Sequence, residues 1–286
     1  MLGAVGQRMR PARCTKGSDM AITNRSRMRW AVLAAATLVG GVVLLPGAAS
    51  ASGVYTGSGY DISYPNCTVT SAFPATDFAI IGLGGGRPFT TSKCLGSEWK
   101  NNSTQPDESL YFNTGYAGAY AKNITTACQN ESSNAPIPAG TPSHTARTET
   151  QAWEIGCSEA DFASSKAPGT PAAWWADIET GNSWSTNTGL NDFAIDGIVY
   201  QMSTLKTTGG APAGGIYSTP SNWAQIAGSG FVAYPAIQAD WEPVPTNSSV
   251  AATCSTAFSL TSTNSYSPVW VVQYGSVNGV DGDVAC

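Results

Sequence analysis

The stretch Trp174-Trp175-Ala176-Asp177-Ile178-Glu179-Thr180-Gly181-Asn182-Ser183-Trp184 decides the fold, and it has the pattern of a buried strand that ends in two carboxylates. Side chains alternate between the faces of a strand, so Trp175, Asp177 and Glu179 are expected on one face and the residues between them on the other. Two residues of strand rise place the Cα atoms of the two acids roughly 6.6 Å apart. The turn-forming residues after Glu179 predict that both acids lie where the strand opens onto a surface.

Apolar runs predict six further strands around this stretch, over residues 59–65, 78–83, 109–113, 214–218, 234–241 and 269–274. Helical patterns cover residues 115–128, 149–163, 189–207 and 251–258, a short helix begins at Ser221, and residues 132–148 have the composition of an exposed loop. Strands that are apolar on both faces and alternate with helices indicate a parallel sheet covered by helices. We therefore predict an α/β fold, a single (β/α) TIM-type barrel that need not be regular.

Residues 1–51 have the features of a leader that is removed from the mature protein. Basic residues up to Arg29 precede an uncharged run over 31–45, and Ala49-Ser50-Ala51 supplies the small residues of a cleavage site. The apolar run is about 15 residues long, shorter than the roughly 20 that span a membrane. We predict a cleaved secretory signal peptide, an extracellular protein without a membrane anchor, and a barrel domain over residues 52–286. Met1 and Met20 both remain open as the translation start.

The predicted mature chain is strongly acidic. Seven of the 14 Lys and Arg residues and one of the 19 acidic residues lie before residue 52, which leaves 7 basic and 18 acidic side chains and a formal net charge of −11. Affinity for nucleic acid depends on Lys and Arg, so this balance excludes nucleic acid as the expected partner. No linker divides residues 52–286, and we expect a monomer.

Six of the seven cysteines lie after the leader, and an even number in an exported chain predicts disulfides. Six cysteines allow 15 pairings, and the sequence does not choose among them. We favour Cys67–Cys94, Cys128–Cys157 and Cys254–Cys286, because each pair would join neighbouring loops of a barrel. There is no Cys-x-x-Cys, and the single histidine lies in a loop rich in Pro, Ser and Thr, so we expect neither a metal nor a cofactor.

Polar and aromatic side chains recur at the predicted carboxyl ends of the strands, where barrels of this type form their active sites. The candidates are Asp61, Asn113, Asp177, Glu179, Tyr217, Trp241, Gln273, Tyr274, Asp281 and Asp283, with Trp184 in the loop after the fourth strand. Aromatic faces stack on sugar rings, and paired carboxylates supply the acid and the stabilising charge for cleavage of a glycosidic bond. This combination favours a protein that acts on a polysaccharide.

Five segments also follow one another in the order found in a known family. They are Gly59-Tyr60-Asp61-Ile62-Ser63, Phe78-Ala79-Ile80-Ile81, Ala176-Asp177-Ile178-Glu179, Gly215-Ile216-Tyr217-Ser218 with Trp223, and Val271-Val272-Gln273-Tyr274 leading into Gly279-Val280-Asp281-Gly282-Asp283. Over nearly all of residues 59–286 the chain resembles the family-25 glycoside hydrolases, the Chalaropsis-type lysozymes, and secreted actinobacterial proteins related to them.

The resemblance implies a lysozyme-like barrel in which Glu179 is the proton donor, Asp177 assists it and Asp61 lines the site. The aspartate that follows the last strand of the family would be replaced here by Asp281 or Asp283. The implied substrate is an N-acetylated cell-wall glycan, peptidoglycan above all. Nearby Asp177 and Asp61 are expected to raise the pKa of Glu179.

Two functions are compatible with these patterns. The first is a secreted glycoside hydrolase with Glu179 as general acid, and the second is a non-catalytic secreted glycan-binding or structural module on the same barrel. The module would hold glycan through Trp184, Trp223 and Trp241. The enzyme instead requires that the acids of the first, fourth and last strands face one open cleft. A Ser-His-Asp hydrolase is the weakest alternative, because the only histidine lies in a loop.

Overall fold

The computed structural model describes residues 53–68, 75–102, 107–235, 237–255, 268–277 and 279–286. They all belong to a compact unit that extends from Ala48 to Cys286. Its centre is a closed barrel of eight strands, each paired with its neighbours in sequence. The predicted α/β barrel is therefore confirmed. Cleavage after Ala51 lies outside the described residues and stays a prediction.

The strands are β1 (Ser58–Ile62), β2 (Phe78–Gly82), β3 (Asp107–Asn113), β4 (Trp174–Asp177), β5 (Gly214–Tyr217), β6 (Asp240–Val244), β7 (Val269–Val277) and β8 (Val280–Ala285). Strands β1 to β7 pair in parallel, whereas β8 pairs antiparallel with both β7 and β1. The order of the predicted strands would place the last parallel strand directly beside the first, but β8 lies between them. Residues 280–285 look like a polar tail in the sequence, yet they form the strand that closes the barrel.

The helices are α1 (Leu95–Asn102), α2 (Thr126–Asn130), α3 (Ser143–Lys166), α4 (Thr188–Met202), α5 (Pro220–Ile226) and α6 (Val250–Cys254). Short 3-10 turns lie at Tyr64–Thr68, Gly118–Asn123, Ser132–Asn134 and Asn247–Ser249. Among the described residues, no helix has both the length and the apolar character needed to cross a membrane.

Three expected elements differ from the observed ones. The predicted helix over 115–128 is a 3-10 turn followed by the short helix α2. Helix α3 begins at Ser143, directly after Pro142, so residues 143–148 are helical rather than an exposed loop; a proline suits the start of a helix because its nitrogen has no hydrogen to leave unpaired. Strand β6 begins at Asp240 instead of 234, and Pro235 in the preceding segment could not donate to a sheet ladder.

The barrel interior is filled by large aromatic side chains. Tyr55, Phe78, Trp175 and Trp241 are all buried in one cluster. Trp175 Nε1 donates to Tyr55 OH at 2.8 Å, and Tyr55 OH donates to Ser109 Oγ at 2.7 Å. These bonds satisfy the polar atoms that aromatic residues bring into a core.

A second cluster packs between the barrel and the helices, and it contains Trp174, Ala176 and Ile178. The alternation predicted for this stretch is confirmed, since Trp175 faces the interior cluster and its neighbours face the helices. Both faces of β4 are fully buried, which explains why the strand has the continuous apolar character of a parallel barrel strand.

The three disulfides join Cys67 to Cys94, Cys128 to Cys157, and Cys254 to Cys286. Their Cα–Cα distances are 5.5, 5.8 and 5.0 Å, inside the range of unstrained bridges. The favoured sequential pairing is confirmed. The first bridge ties the turn after β1 to the start of α1, and the third ties α6 to the end of β8.

We expect that a secreted form comprising residues 52–286 has no free thiol. A thiol reagent added to the denatured, unreduced protein should label no cysteine, and after reduction it should label all six, because each sulfur is already in a bridge. Mass spectrometry of the labelled protein gives the count. Two or more labelled cysteines before reduction would contradict this arrangement.

Candidate active site

The carboxyl ends of three adjacent strands place Asn113, Asp177 and Tyr217 in one row. Asp177 is in register with Asn113 of β3 and with Tyr217 of β5. Asn113 Nδ2 donates to Asp177 Oδ2 at 2.6 Å. The backbone at the end of β4 is also held, since Thr114 Oγ1 and Asn182 Nδ2 donate to the Asp177 carbonyl at 2.5 and 3.0 Å. The Asp177 carboxylate therefore has a fixed position at the barrel mouth.

Glu179 lies two residues beyond the end of β4, so the predicted strand is too long by these residues. Pairing nevertheless continues one step, because Ile178 N donates to Tyr217 O at 2.9 Å. A turn then closes as Asn182 N donates to Glu179 O at 3.0 Å. The Glu179 side chain is hydrogen-bonded with Tyr217 and its charge acts on Asp177. It is on the face that the strand alternation predicts.

Gln273 of β7 connects Asp61 to this row. Its Nε2 donates to Asp61 Oδ2 at 2.7 Å, and its Oε1 accepts from Tyr217 OH at 2.8 Å. Both ends of the amide are thus engaged within the protein. Gln273 orients Asp61 and Tyr217, which differs from the substrate contact expected for it.

The antiparallel direction of β8 separates the two C-terminal aspartates. Asp281 is in register with Asp61, whereas Asp283 is in register with Gly59, one step deeper in the barrel. Asp281 is exposed at the mouth. Asp283 is fully buried and accepts from Trp241 Nε1 at 3.0 Å. Asp281 is therefore the exposed acid beside Asp61. Asp283 also lies close enough for the charge of Asp61 to raise its pKa, but its side chain is closed off from solvent, so a substrate contact for it stays a prediction.

Three other candidates are buried or half-buried in the packing of the protein. Trp241 is 2% exposed and sits at the start of β6, where its ring packs edge-on against Trp175 and Tyr217. Tyr274 faces outward and packs with the apolar cluster around α6 and β7. Trp184 is half-buried in the packing between loops and helices. Trp241 thus has no open ring face for a sugar, whereas the substrate contacts expected of the half-buried Tyr274 and Trp184 stay predictions.

Burial is the main reason that the pKa of each of the three acids is raised. It raises the pKa of Asp61 to about 8, and the charges of Asp281, Asp177 and Glu179 add to the shift while the Gln273 hydrogen bond opposes it. Burial likewise raises the pKa of Asp177 to about 7, with a further contribution from Glu179. It also raises the pKa of Glu179, against an opposing hydrogen bond from Tyr217. The sequence-based expectation assigned this shift to neighbouring charges, which rank below burial.

Tyr217 has one proton and two acceptors for it. The proton goes to Gln273 Oε1 at 2.8 Å while Glu179 is neutral, and it can turn to the Glu179 carboxylate once that group has ionised. This explains why the Tyr217 hydrogen bond lowers the pKa of Glu179: it stabilises the ionised form.

Sequence reasoning missed Tyr111, whereas the Gly84-Gly85-Gly86 run predicts the close backbone approach at the barrel mouth that the structure has. Tyr111 is hydrogen-bonded with Ser63 and experiences the charges of Asp61 and the β4 acids. The signal for it is available, because Tyr111 is two residues before Asn113 and so shares its face. A Cβ on Gly84 would lie 2.6 Å from Asn113 Oδ1, so the glycine lets the loop pass directly against the site.

One group of potential metal ligands, Cys67, Cys94 and Glu98, lies close together in the described part of the chain. The two sulfurs are bonded to each other in a disulfide, so neither is available as a thiolate. Nothing in this arrangement supports a metal centre.

Comparisons with known proteins give structural neighbours but no sequence relatives. No family model matches the sequence, and no curated protein matches it either. The structure is similar to the muramidase from Acremonium alcalophilum, with a TM-score of 0.45 and 16% identity over 80% of this chain and 93% of that one. It is also similar to the modular autolysin LytC from Streptococcus pneumoniae, with a TM-score of 0.41 and 12% identity over 79% of this chain and 46% of that one.

A family 25 glycosyl hydrolase from Bacillus anthracis has a TM-score of 0.38 and 11% identity, over 81% of this chain and 89% of that one. One barrel fold supports many activities, so the function has to be argued from the side chains at the mouth.

Proposed function

We propose that this protein is a secreted glycoside hydrolase that cleaves an N-acetylated cell-wall glycan, peptidoglycan above all. The observation that carries the proposal is the convergence of Asp61, Asp177 and Glu179 at one end of the barrel, linked through Gln273 and Tyr217. Glycosidic cleavage needs an acid that is protonated and a second carboxylate beside the same bond. Export fits the three disulfides, which form in oxidising compartments.

Glu179 is the general acid in this mechanism. It is the least buried of the three acids, so it can reach a glycosidic oxygen, and burial raises its pKa toward the working pH of a proton donor. When it has given up its proton, Tyr217 is placed to donate to the carboxylate that forms. The leaving sugar takes the proton as its bond to C1 breaks, and water then adds to C1 and gives a proton to a carboxylate of the site, which completes the hydrolysis.

One carboxylate oxygen of Asp177 accepts a hydrogen bond within the protein, and the other is available to a ligand. Oδ2 accepts from Asn113, whereas the buried Oδ1 has no hydrogen-bond partner within the described residues. A buried acceptor without a partner is costly unless a ligand supplies one. Oδ1 can accept the N–H of an acetamido group or face the positive charge that develops at C1.

Asp61 acts beside them as a neutral or half-ionised group. Its pKa of about 8 means that it keeps its proton at neutral pH, which avoids three negative charges in one mouth. Gln273 fixes its orientation. In the neutral form Asp61 donates a hydrogen bond to a sugar hydroxyl or carbonyl oxygen.

The non-catalytic module has less support. It would bind glycan through Trp184, Trp223 and Trp241, but Trp223 and Trp241 are at most 2% exposed and Trp184 is half-buried between elements. Stacking on a sugar requires an open ring face. Both hypotheses share a polysaccharide ligand, and only the hydrolase explains three acids with raised pKa values at one mouth.

Purified bacterial cell walls test the proposal directly. The protein comprising residues 52–286 should clear a suspension of purified peptidoglycan and release new reducing ends, which a colorimetric assay counts. Release of reducing ends distinguishes glycan cleavage from cutting of the peptide stems. Binding to the walls without new reducing ends at any pH would leave the binding module as the correct function.

Asp177→Asn is expected to shift the alkaline limb of the pH–activity profile to lower pH, by about 0.5–1 unit. Glu179 must be protonated to act. The charge of Glu179 raises the pKa of Asp177, and by reciprocity an ionised Asp177 disfavours ionisation of Glu179, so its removal lets the acid lose its proton at a lower pH. Measuring kcat from pH 4 to 9 gives the limb. Asp77→Asn at the opposite end of the barrel, where Asp77 accepts from Ser58 N, is the matched control. An alkaline limb that stays at the same pH or moves to higher pH would contradict the assignment of Glu179 as the general acid.

A further inference from the structure

Tyr64 is exposed beside the candidate active site. It begins the turn directly after β1, three residues beyond Asp61, and 46% of its surface is accessible. Among the described residues, the other large apolar side chains with comparable exposure are Val232 and Tyr234. Single exposed apolar residues are ordinary on protein surfaces, so the exposure gains meaning only from how the ring is held.

The Tyr64 ring lies against the backbone of the loop after β2. A Cβ on Gly86 would sit 2.7 Å from Tyr64 Cε1 and 3.0 Å from its hydroxyl oxygen, so only glycine allows this approach. Gly86 also has φ of +82°, a conformation that other residues rarely adopt. The loop therefore supports part of the ring while nearly half of the residue stays open to solvent.

The turn that carries Tyr64 is attached at several points. Ser63 N donates to Asn66 Oδ1 at 2.9 Å, and Asn66 N donates back to Ser63 O at 2.7 Å. Asn66 Nδ2 reaches Gly279 O between β7 and β8 at 3.5 Å, and the next residue, Cys67, is bridged to Cys94. Because the turn is already fixed before a ligand binds, the Tyr64 ring loses little conformational freedom when a ligand covers it.

The same glycine loop relates Tyr64 to the acids. Gly86 touches Tyr64, and Gly84 touches Asn113, which donates to Asp177. Two residues of chain span at most about 7 Å. The ring is thus within the length of a short oligosaccharide from the Asp177 carboxylate, on the side of the mouth formed by β1 and β2.

We propose that Tyr64, supported by Gly86, is a stacking platform for a pyranose ring of the bound glycan at a subsite next to the cleaved bond. This inference rests on the proposed function and names a part of its substrate-binding surface. A pyranose presents axial C–H groups that pack on an aromatic face, and the phenol can hydrogen-bond to a ring hydroxyl. The platform supplies the open aromatic surface that the buried tryptophans do not.

Binding should be measured without turnover, in the Glu179→Gln background, by co-sedimentation with purified peptidoglycan. Tyr64→Ala should raise Kd by about three- to tenfold, as expected for the loss of one aromatic contact. Tyr64→Phe should stay within about twofold because the ring face remains. Tyr234→Ala is the matched control, since Tyr234 is 66% exposed on a loop packed against α4 and should leave Kd unchanged.

Gly86→Ala offers an independent approach to the same contact. The added methyl would displace the ring, so the variant should lose affinity in the same direction as Tyr64→Ala. Combined with Tyr64→Ala it should add little further loss, because both changes remove one interaction. In the active protein, Tyr64→Ala should raise KM and leave kcat within about twofold.

The outcomes of these experiments separate the stacking platform from the proposed hydrolase. Two of them overturn the platform alone. One is cleavage of peptidoglycan by the parent protein with an unchanged Kd and KM in Tyr64→Ala. Another is an equal loss of affinity in Tyr64→Phe together with a lower melting temperature, which would indicate a structural role. Tyr64-dependent binding by a protein that cuts no glycan would reject the proposed hydrolase and leave the platform standing. No binding and no cleavage would reject both.

Discussion

Glu179→Gln is expected to lower kcat for peptidoglycan cleavage by about 10²–10⁴-fold and to leave KM nearly unchanged. Glutamine keeps the shape of the side chain but has no proton to give the leaving oxygen. The hydrogen bond with Tyr217 can be retained, because the amide has both a donor and an acceptor. The loss should therefore appear in the chemical step and not in binding.

Reducing-end release at saturating peptidoglycan gives kcat, and its dependence on wall concentration gives KM. Glu131→Gln is a matched control, because Glu131 is exposed on the surface and bonds only with Asn134 and Tyr200 among the described contacts. Its activity should equal that of the parent. A purely structural Glu179 would give a lower melting temperature with no selective change in kcat, and that result would remove it from the catalytic role.

Trp175→Ala is expected to destabilise the protein by about 3–5 kcal/mol. The side chain is fully buried at the centre of the barrel, in edge-on contact with Trp241 and Trp270. Its removal leaves a cavity, and it also leaves Tyr55 OH without the Nε1 donor that now satisfies it. This exceeds the effect expected of a surface change, since truncation of a surface side chain leaves no cavity.

Trp175→Phe separates the two contributions. It retains most of the packing and loses only the hydrogen bond, so it should cost about 1–2 kcal/mol. Denaturant unfolding with the disulfides intact measures both values. Trp99→Ala on α1, where the side chain is partly exposed, should cost less than Trp175→Ala. A loss below about 1 kcal/mol for Trp175→Ala would contradict the packing assigned to the barrel centre.

The fold could be predicted from short sequence patterns because each pattern depends only on residues that are neighbours in the chain. The two-residue period of a strand assigns Trp175, Asp177 and Glu179 to one face, and it holds at Glu179 although β4 ends at Asp177. Seven parallel strands with helices between them follow from the order of apolar runs. The errors occur where a local pattern is weak, as at residues 115–128, where several glycines and polar residues favour 3-10 turns over a long helix.

Residues 280–285 show where sequence patterns fail. The run Val280-Asp281-Gly282-Asp283-Val284-Ala285 has polar residues at alternate positions and looks like a solvated tail. The run forms the strand that pairs with both β7 and β1 and closes the barrel. The charge of Asp281 acts on Asp61, and Asp283 accepts a hydrogen bond from Trp241. The alternation is compatible with a strand, but only the closed sheet shows that this run pairs between β7 and β1.

The sequence by itself determined the barrel class, the acids of the fourth strand, the acidity of the chain and the cysteines available for bridging, because each depends on residue type or on neighbours in the chain. The tertiary structure alone decided that Asp281 is the exposed acid beside Asp61 while Asp283 is buried, that Gln273 orients Asp61, and that Trp241 belongs to the core. Those assignments depend on the direction of β8 and the register of its pairing. A change of two residues in that register would exchange a buried aspartate for an exposed one, and only the closed sheet specifies which occurs.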